Sequence, residues 1–299
     1  MKKIAFIGIW LLSIAVITAQ TISIEKTYSP IAQKGFHLQF NSTGDLLAFT
    51  SESYVGLNVY NFADKSVIKV TEEAGAGFQP LFSNNSDKVF YKNIVYESRL
   101  RKDGVQSFDL ASQKMVEMLQ PRRGLKQPQA FENGFLVIAD NKLLKTTFGA
   151  SKVPASDYIW SDGSNLYIYR NSQIEIMNPL KDANGYIWSS LSPNGKMILF
   201  TAAGQGTYVC DLDGKIMAKL GNLNAPVWYD DKYVVGMLDK DDGHYITESK
   251  ILMKSLDGKT EKVLSNPNQI AMFPTAAAGK VAFSTLQGDI LVLELKINK

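Results

Sequence analysis

Cysteine and histidine are scarce in this chain of 299 residues, which contains one cysteine, Cys210, and two histidines, His37 and His244. A single cysteine excludes an intrachain disulfide and a zinc site built from several thiolates. A Ser-His-Asp triad requires a positioned histidine, and beyond residue 19 the chain has no Gly-x-Ser-x-Gly nucleophile motif. The sequence therefore predicts no catalytic residues. Cys210 lies in an apolar run and is predicted to be a buried thiol.

A concentration of charge of one sign is also lacking. The 32 basic and 29 acidic residues give a formal net charge of +3, and the densest basic cluster is only Arg122, Arg123 and Lys126. Nucleic-acid recognition requires a concentrated positive surface, so we expect no nucleic-acid partner. A hydrophobic content of 45% is ordinary for a folded globular protein and excludes a disordered chain.

Long apolar runs are absent except at the N-terminus, where Met1-Lys2-Lys3 precedes the run 4–17 and Thr18-Ala19 follow it. This order of a positive start, an apolar stretch and small residues is typical of a secretory signal peptide. The run is shorter than the ~20 residues that span a bilayer, which disfavours the alternative of an uncleaved anchor. We expect a signal peptide over 1–19, one mature domain over 20–299 without a membrane span, and a periplasmic or secreted protein. Loss of Lys2 and Lys3 lowers the net charge to +1.

The remaining apolar segments are short and rich in β-branched and aromatic residues, and no helical period is sustained over a dozen residues. Each follows a cluster of Gly, Asn, Asp or Ser, which tolerate the backbone conformations of tight turns. The segments are 46–49, 88–91, 135–139, 166–169, 197–200, 233–237 and 280–283. The pattern predicts an all-β fold.

A large apolar residue precedes each of these turns, and the series predicts a repeat. Its members are Phe40, Phe82, Phe131, Trp160, Leu191, Trp228 and Phe273. Units of roughly 40 residues with four short strands are typical of β-propeller blades, so we expect a single propeller with seven blades. The steps from Phe131 to Trp160 and from Trp160 to Leu191 are short, so six blades remain an alternative. The strand 21–26 is expected to pair with 289–297 and to close the last blade.

Three of these units carry a recognisable motif. Residues 191–200 (LSPNGKMILF) resemble the F-S-P-D-G-K-x-I-A-F repeat of TolB-type, WD40-like (PD40-repeat) propellers, and residues 40–49 (FNSTGDLLAF) and 82–91 (FSNNSDKVFY) are further matches. The resemblance implies a propeller fold for the whole mature chain. TolB also has an N-terminal α/β domain, but here the repeats begin about 15 residues after the signal peptide. We therefore expect the propeller portion alone.

Four residues are candidates for ligand binding on the strands and connections of this propeller. Arg122 and Arg123 lie between units two and three and could clamp a carboxylate or phosphate, although they could also be ordinary surface charges. Trp188 lies three residues before Leu191 and could face the central channel and stack on a sugar or peptide. His37 is expected on the first strand of unit one, either packed or facing the channel.

The stretch 239–244 is the richest polar cluster. Asp239, Asp241 and Asp242 could bind calcium, and His244 is a further binding candidate. Their spacing does not match an EF-hand loop, so an exposed connection without a metal is the favoured interpretation. No other feature of the sequence indicates a cofactor.

These observations favour a non-catalytic, exported binding module that is a monomer outside any complex and recognises an envelope or extracellular protein, peptide or glycan. One alternative is a propeller enzyme, such as a lactonase or polysaccharide lyase that uses channel carboxylates or a metal. Two histidines make such an active site hard to build. Another alternative is a purely structural part of an envelope assembly.

Overall fold

A computed structural model describes residues 20–149 and 157–298, which form seven antiparallel β-sheets. The expected signal peptide, 1–19, lies outside the described residues. Within the two described stretches, no helix is long and apolar enough to cross a membrane. The sheets follow one another along the chain as blades 1 to 7 of a β-propeller.

The strands of blades 1 to 4 are β2 (Phe36–Phe40), β3 (Leu46–Thr50), β4 (Val55–Asn61) and β5 (Val67–Ala74); β6 (Leu81–Phe82), β7 (Lys88–Glu97), β8 (Leu100–Asp109) and β9 (Met115–Arg122); β10 (Gln129–Phe131), β11 (Gly134–Ala139) and β12 (Lys142–Thr147); β13 (Tyr158–Ser161), β14 (Leu166–Arg170) and β15 (Gln173–Ile176). Those of blades 5 to 7 are β16 (Tyr186–Leu191), β17 (Met197–Ala202), β18 (Gly206–Asp211) and β19 (Ile216–Gly221); β20 (Asn224–Trp228), β21 (Tyr233–Asp241), β22 (Ile246–Ser255) and β23 (Glu261–Val263); β24 (Ala271–Ala277), β25 (Lys280–Thr285), β26 (Ile290–Asn298) and β1 (Thr21–Tyr28).

The second strand of each blade contains a continuous apolar run because the blade is covered on both faces there. In β11 every residue is buried. Phe135 and Val137 pack against blade 2, whereas Leu136 and Ile138 pack against blade 4. Side chains of a strand alternate between faces, so a continuous apolar run is required when both faces are buried. This explains the apolar segments found in the sequence.

Seven apolar clusters hold the ring together, and each joins two neighbouring blades. The cluster between the last and first blades brings Phe49 and Leu47 of blade 1 against Ile290 and Val292 of blade 7. The first strands of neighbouring blades contact one another around most of the ring, so they are the inner strands next to the central axis. The protein is a seven-bladed β-propeller, as the sequence predicted.

The two short repeats have a structural cause. Among the described residues, blades 3 and 4 contain three strands each, whereas the other five blades contain four. Less chain is therefore used between Phe131, Trp160 and Leu191, and the six-blade alternative is wrong.

The last blade is closed by both chain ends, as expected. Strand β1 pairs antiparallel with β26, from Thr21 opposite Asn298 to Tyr28 opposite Val292, with one bulge. Ile22 of β1 is buried in the cluster between blades 6 and 7.

Cys210 is fully buried in β18, and burial raises the pKa of its thiol to about 12. The prediction of a buried thiol is confirmed.

Candidate binding site

The two faces of the disc are defined by the turns between strands. The turns from inner to second strand contact one another across blades: Asn41 Nδ2 donates to Ser86 Oγ at 2.9 Å, and Asn84 N donates to the Glu132 carbonyl at 2.9 Å. We call their side the lower face. The upper face is the opposite side, where the inner strands begin. There Gly35 N, just before β2, donates to the Gly288 carbonyl in the β25–β26 turn at 2.9 Å.

Four inner strands, β2, β16, β20 and β24, are interrupted by a β-bulge close to their upper ends. The bulged residues all have positive φ: His37 (51°), Trp188 (52°), Ala225 (44°) and Phe273 (50°). Positive φ is uncommon for residues other than glycine, and bulges often redirect a side chain next to a functional site. The bulges therefore place His37, Trp188 and Phe273 at equivalent positions around the upper mouth of the channel.

Two of these side chains belong to a cluster of four rings, His37, Tyr54, Phe78 and Phe273, which we call the ring cluster. The His37 ring stacks on Tyr54 with centroids 3.9 Å apart and lies 5.1 Å from the Phe273 ring. The Phe78 ring meets Tyr54 edge-on at 5.2 Å. Phe78 is 40% exposed and the other three are half-buried. Partly exposed rings of this kind can stack on a flat or apolar ligand group.

The hydrogen bonding of His37 fixes its state. Its Nε2 lies 3.1 Å from the Glu52 carbonyl oxygen, which can only accept, so Nε2 carries the proton. Burial lowers the pKa of His37, while the Glu52 carbonyl opposes that shift. A neutral ring with an unprotonated Nδ1 can stack and accept a hydrogen bond without bringing a charge to the cluster.

Two long hairpins rise on either side of the ring cluster. Strands β7 and β8 of blade 2 have ten residues each, and β21 and β22 of blade 6 have nine and ten, compared with five in β3. The additional residues extend beyond the upper face by roughly 15 Å. Tyr96 is 68% exposed near one tip and Tyr245 is 77% exposed near the other. Blades 1 and 7, which supply most of the cluster, lie between these hairpins.

The remaining predicted binding residues surround the mouth from other blades. Trp188 is 37% exposed on blade 5, whereas Trp160, in the same Tyr-Ile-Trp-Ser tetrapeptide, is buried between blades 3 and 4. Arg122 ends β9, Arg123 follows it, and Arg122 Nη1 lies 3.9 Å from Asp140 Oδ2. His244 is exposed at the tip of the β21–β22 hairpin.

The three aspartates proposed for calcium do not fit that ion. Asp239 Oδ1 accepts from Asn224 Nδ2 at 2.8 Å, and Asp241 and Asp242 accept from backbone N–H groups of the hairpin tip. Asp241 and Asp242 therefore cap the hairpin turn, whereas Asp239 binds an amide on the neighbouring strand, and the three carboxylates share no partner. Within residues 20–149 and 157–298, no group of three or more His, Cys, Asp or Glu side chains could hold a metal ion.

Sequence reasoning missed three members of the ring cluster. Tyr54 and Phe78 lie in connections that carry no repeated pattern. Phe273 was assigned to the position before the turn, and this assignment is wrong, because Ala276 pairs with Val281 as Leu191 pairs with Ile198. Phe273 lies three positions before Ala276, as Trp188 lies three positions before Leu191, and this spacing was the available signal for Phe273.

No protein-family model matches the sequence, and the comparison with curated proteins finds no relative. Solved β-propellers match in structure. The propeller domain of the trilobed protease from Pyrococcus furiosus aligns with 12% identity over 89% of this chain and 98% of that one, with a TM-score of 0.59. The Cps50 (Swd1) propeller domain from Myceliophteria thermophila aligns with 11% identity over 92% and 99% of the two chains, with a TM-score of 0.57.

An oligogalacturonate lyase in complex with manganese aligns with 10% identity over 89% of this chain and 79% of that one, with a TM-score of 0.50. Identities this low show a shared fold and not a shared activity. The protease domain is described as having an open velcro topology, whereas this chain closes its ring through β1 and β26. The propeller implied by the TolB-type repeats is thus confirmed at the level of fold.

Proposed function

We propose that this protein is an exported, non-catalytic binding propeller whose upper face recognises a protein, peptide or glycan. The ring cluster carries the proposal. The four rings come from β2, from two connections of blade 1 and from blade 7, and they meet at the channel mouth. Three of them, His37, Tyr54 and Phe273, are held at positive φ. Strained, partly exposed side chains of this kind are typical of ligand sites and contribute little to a buried core.

Recognition of a partner also accounts for the exposed tyrosines on the two hairpins. Tyrosine is enriched at protein interfaces because its ring is apolar and its hydroxyl remains hydrated. Tyr96 and Tyr245 lie on opposite sides of the ring cluster. A ligand that lies across the channel mouth would therefore contact both hairpins and the ring cluster between them.

A lyase or lactonase activity has less support. The ring cluster offers one imidazole, one phenol, a carbonyl oxygen and two phenylalanine rings, and none of its four side chains is the carboxylate that the enzyme alternative calls for. We therefore keep the enzyme as an alternative without assigning it residues.

Site-specific photo-crosslinking tests the proposal. A benzophenone amino acid is placed at Phe78 in the ring cluster and, as a matched control, at Val67, which is 41% exposed on the outer strand of the same blade. After irradiation with an envelope extract, we expect a discrete adduct from position 78 only, and we expect Tyr54→Ala to abolish it. Protease or glycosidase digestion of the adduct identifies the class of partner. Equal adducts from both positions, or none, would contradict the proposal.

Export is tested separately on the secreted protein. Cleavage of residues 1–19 leaves Gln20 as the first residue, so the intact mass should equal that of 20–299 or that mass less ammonia from cyclised Gln20. A mature protein that retains residues 1–19 would overturn this part of the proposal.

A further inference from the structure

The junction of blades 2 and 3 at the upper face collects positive side chains from four neighbouring segments. We call Lys92, Arg101, Arg122, Arg123 and Lys126 the basic junction. They come from β7, β8, the end of β9 and the connection that follows it. Cross-strand pairing of Asp103 with Arg122 brings β8 and β9 together at this level.

Lys92 is the most unusual member because its side chain is only 9% exposed. Its Nζ lies 3.9 Å from Asp103 Oδ2, beyond hydrogen-bonding distance. Asp103 is instead held by Arg101, with Nε at 2.7 Å from Oδ1 and Nη2 at 3.3 Å from Oδ2. Arg101 therefore makes the hydrogen bonds to Asp103, and Lys92 interacts with this carboxylate only at a longer distance. A buried charge is costly unless it is fully paired, so the junction is short of an acceptor.

The other members of the basic junction add further positive charge. Arg122 Nη1 lies 3.9 Å from Asp140 Oδ2, and the Asp140 side chain is 76% exposed, so this pair is loose. Burial lowers the pKa of Lys92, and the charges of Arg101 and Lys126 lower it further against the opposing effect of Asp103.

We propose that the basic junction binds the carboxylates of an acidic polypeptide segment of the partner; this inference rests on the proposed function. Val95, Tyr96 and Leu100 are exposed on the hairpin that carries Lys92 and Arg101. Apolar and tyrosine side chains next to arginine are typical of surfaces that bind proteins. Val95 and Leu100 have no aromatic face on which a sugar could stack, and a free anion would use none of the three side chains, so the observations favour a polypeptide.

The test measures fluorescence anisotropy of a fluorescein-labelled deca-glutamate peptide with the full mature chain. We expect binding that weakens as salt rises, because exposed charges are screened. Lys92→Met should weaken it about tenfold, and the exposed pair Arg122→Ala with Arg123→Ala should weaken it by a similar factor. Lys69→Met is the control, because Lys69 pairs with Glu72 on the outer strand of blade 1. Its affinity should not change.

Melting curves of the same variants separate binding from folding. If Lys92 serves a ligand, Lys92→Met removes an underpaired buried charge and should melt at the same temperature or higher. A lower melting temperature with unchanged deca-glutamate affinity would show that Lys92 is structural and would overturn the proposal. Equal affinities in all variants, or tighter binding of oligogalacturonate or inorganic phosphate than of deca-glutamate, would also overturn it.

This experiment does not depend on the ring cluster. Tyr54→Ala should leave deca-glutamate binding unchanged, so a failure of the crosslinking experiment and a failure of the basic junction can be told apart.

Discussion

The lower and upper faces of the propeller use their polar and aromatic residues in opposite ways. On the lower face, Asn41, Ser83 and Ser192 follow the inner strands at equivalent positions and are almost fully buried. Asn41 Oδ1 accepts from the backbone N–H groups of Asp45 and Leu46, and Ser192 Oγ accepts from Met197 N. On the upper face, three inner strands instead carry a partly exposed ring at positive φ near their start, His37, Trp188 and Phe273.

This difference separates the residues that stabilise the propeller from the residues that are available to a ligand. The polar groups of the lower turns form hydrogen bonds within their own turn and with the next blade. Where these turns need a positive φ at Gly44, Gly195 and Gly279, glycine adopts it without steric cost. Upper bulges place His37 and Phe273 in the same region of φ, where their Cβ atoms are disfavoured. We infer that the residues of the lower face maintain the fold and that the side chains of the upper face can differ from blade to blade.

The largest effect is expected from a change that disrupts both faces together. Deletion of residues 20–27 removes β1, exposes the edge of β26 and uncovers the cluster that contains Ile22. We expect the melting temperature to fall by roughly 10 °C or more. Glu25→Ala, on the exposed side of the same strand, should change it little. An unchanged melt after the deletion would show that β1 does not close the ring.

The next effect should be confined to the lower face. Asn41→Ala leaves the buried N–H of Leu46 and the part-buried N–H of Asp45 without their acceptor and removes the bond to Ser86, which should cost about 3 kcal/mol of unfolding free energy. Denaturant titration measures it, with exposed Asn268→Ala as the control. If the faces are independent, crosslinking from position 78 should persist below the unfolding transition. Loss of crosslinking in the folded variant would break the comparison.

A smaller effect on stability is expected on the upper face. Tyr54→Ala removes the ring between His37 and Phe78 but exposes no buried polar group, so we expect a loss of about 1 kcal/mol. The same substitution should abolish crosslinking from position 78. A loss as large as that of Asn41→Ala would mean that the ring cluster is part of the core.

The smallest effect follows from the titration of His37. Because burial lowers its pKa in the folded state, the unfolded chain binds more protons below about pH 6.5, and stability should decrease as the pH falls through that range. His37→Asn keeps a residue that tolerates positive φ but does not titrate. Urea unfolding near pH 5 and pH 7.5 should therefore show a weaker pH dependence in His37→Asn than in the native chain. An identical dependence would exclude His37 as the source.

The same division explains how much the sequence could predict. The turns of the lower face are repeated in sequence because each blade needs the same caps, so segments such as 191–200 identified the fold and the blade number. Residues of the upper face are not repeated, since each blade presents a different side chain there. Phe273 shows the limit: its residue type matched the repeat, but only strand register distinguishes a bulged residue from one before the turn.

The ring cluster was only partly predictable for a related reason. His37 and Trp188 were candidates because of their residue type, and the structure places them at equivalent bulges. Tyr54 and Phe78 join His37 through contacts between a turn and a connection, and no local pattern encodes such contacts. The two identical Tyr-Ile-Trp-Ser segments make the same point, because Trp160 is buried and Trp188 is exposed.

The pairing of β1 with β26 has a consequence for how the protein is made. Ser23 Oγ donates to the Lys296 carbonyl across 273 residues of chain, so β1 is synthesised long before the strand with which it pairs. No shorter nascent chain can complete the ring, and contacts this distant in sequence form slowly. During that interval β26 has not been synthesised and β1 exposes an unpaired edge. Closure of the propeller therefore follows the synthesis of β26. Until then, the unpaired edge of β1 is where a chaperone or a second chain would bind in place of β26.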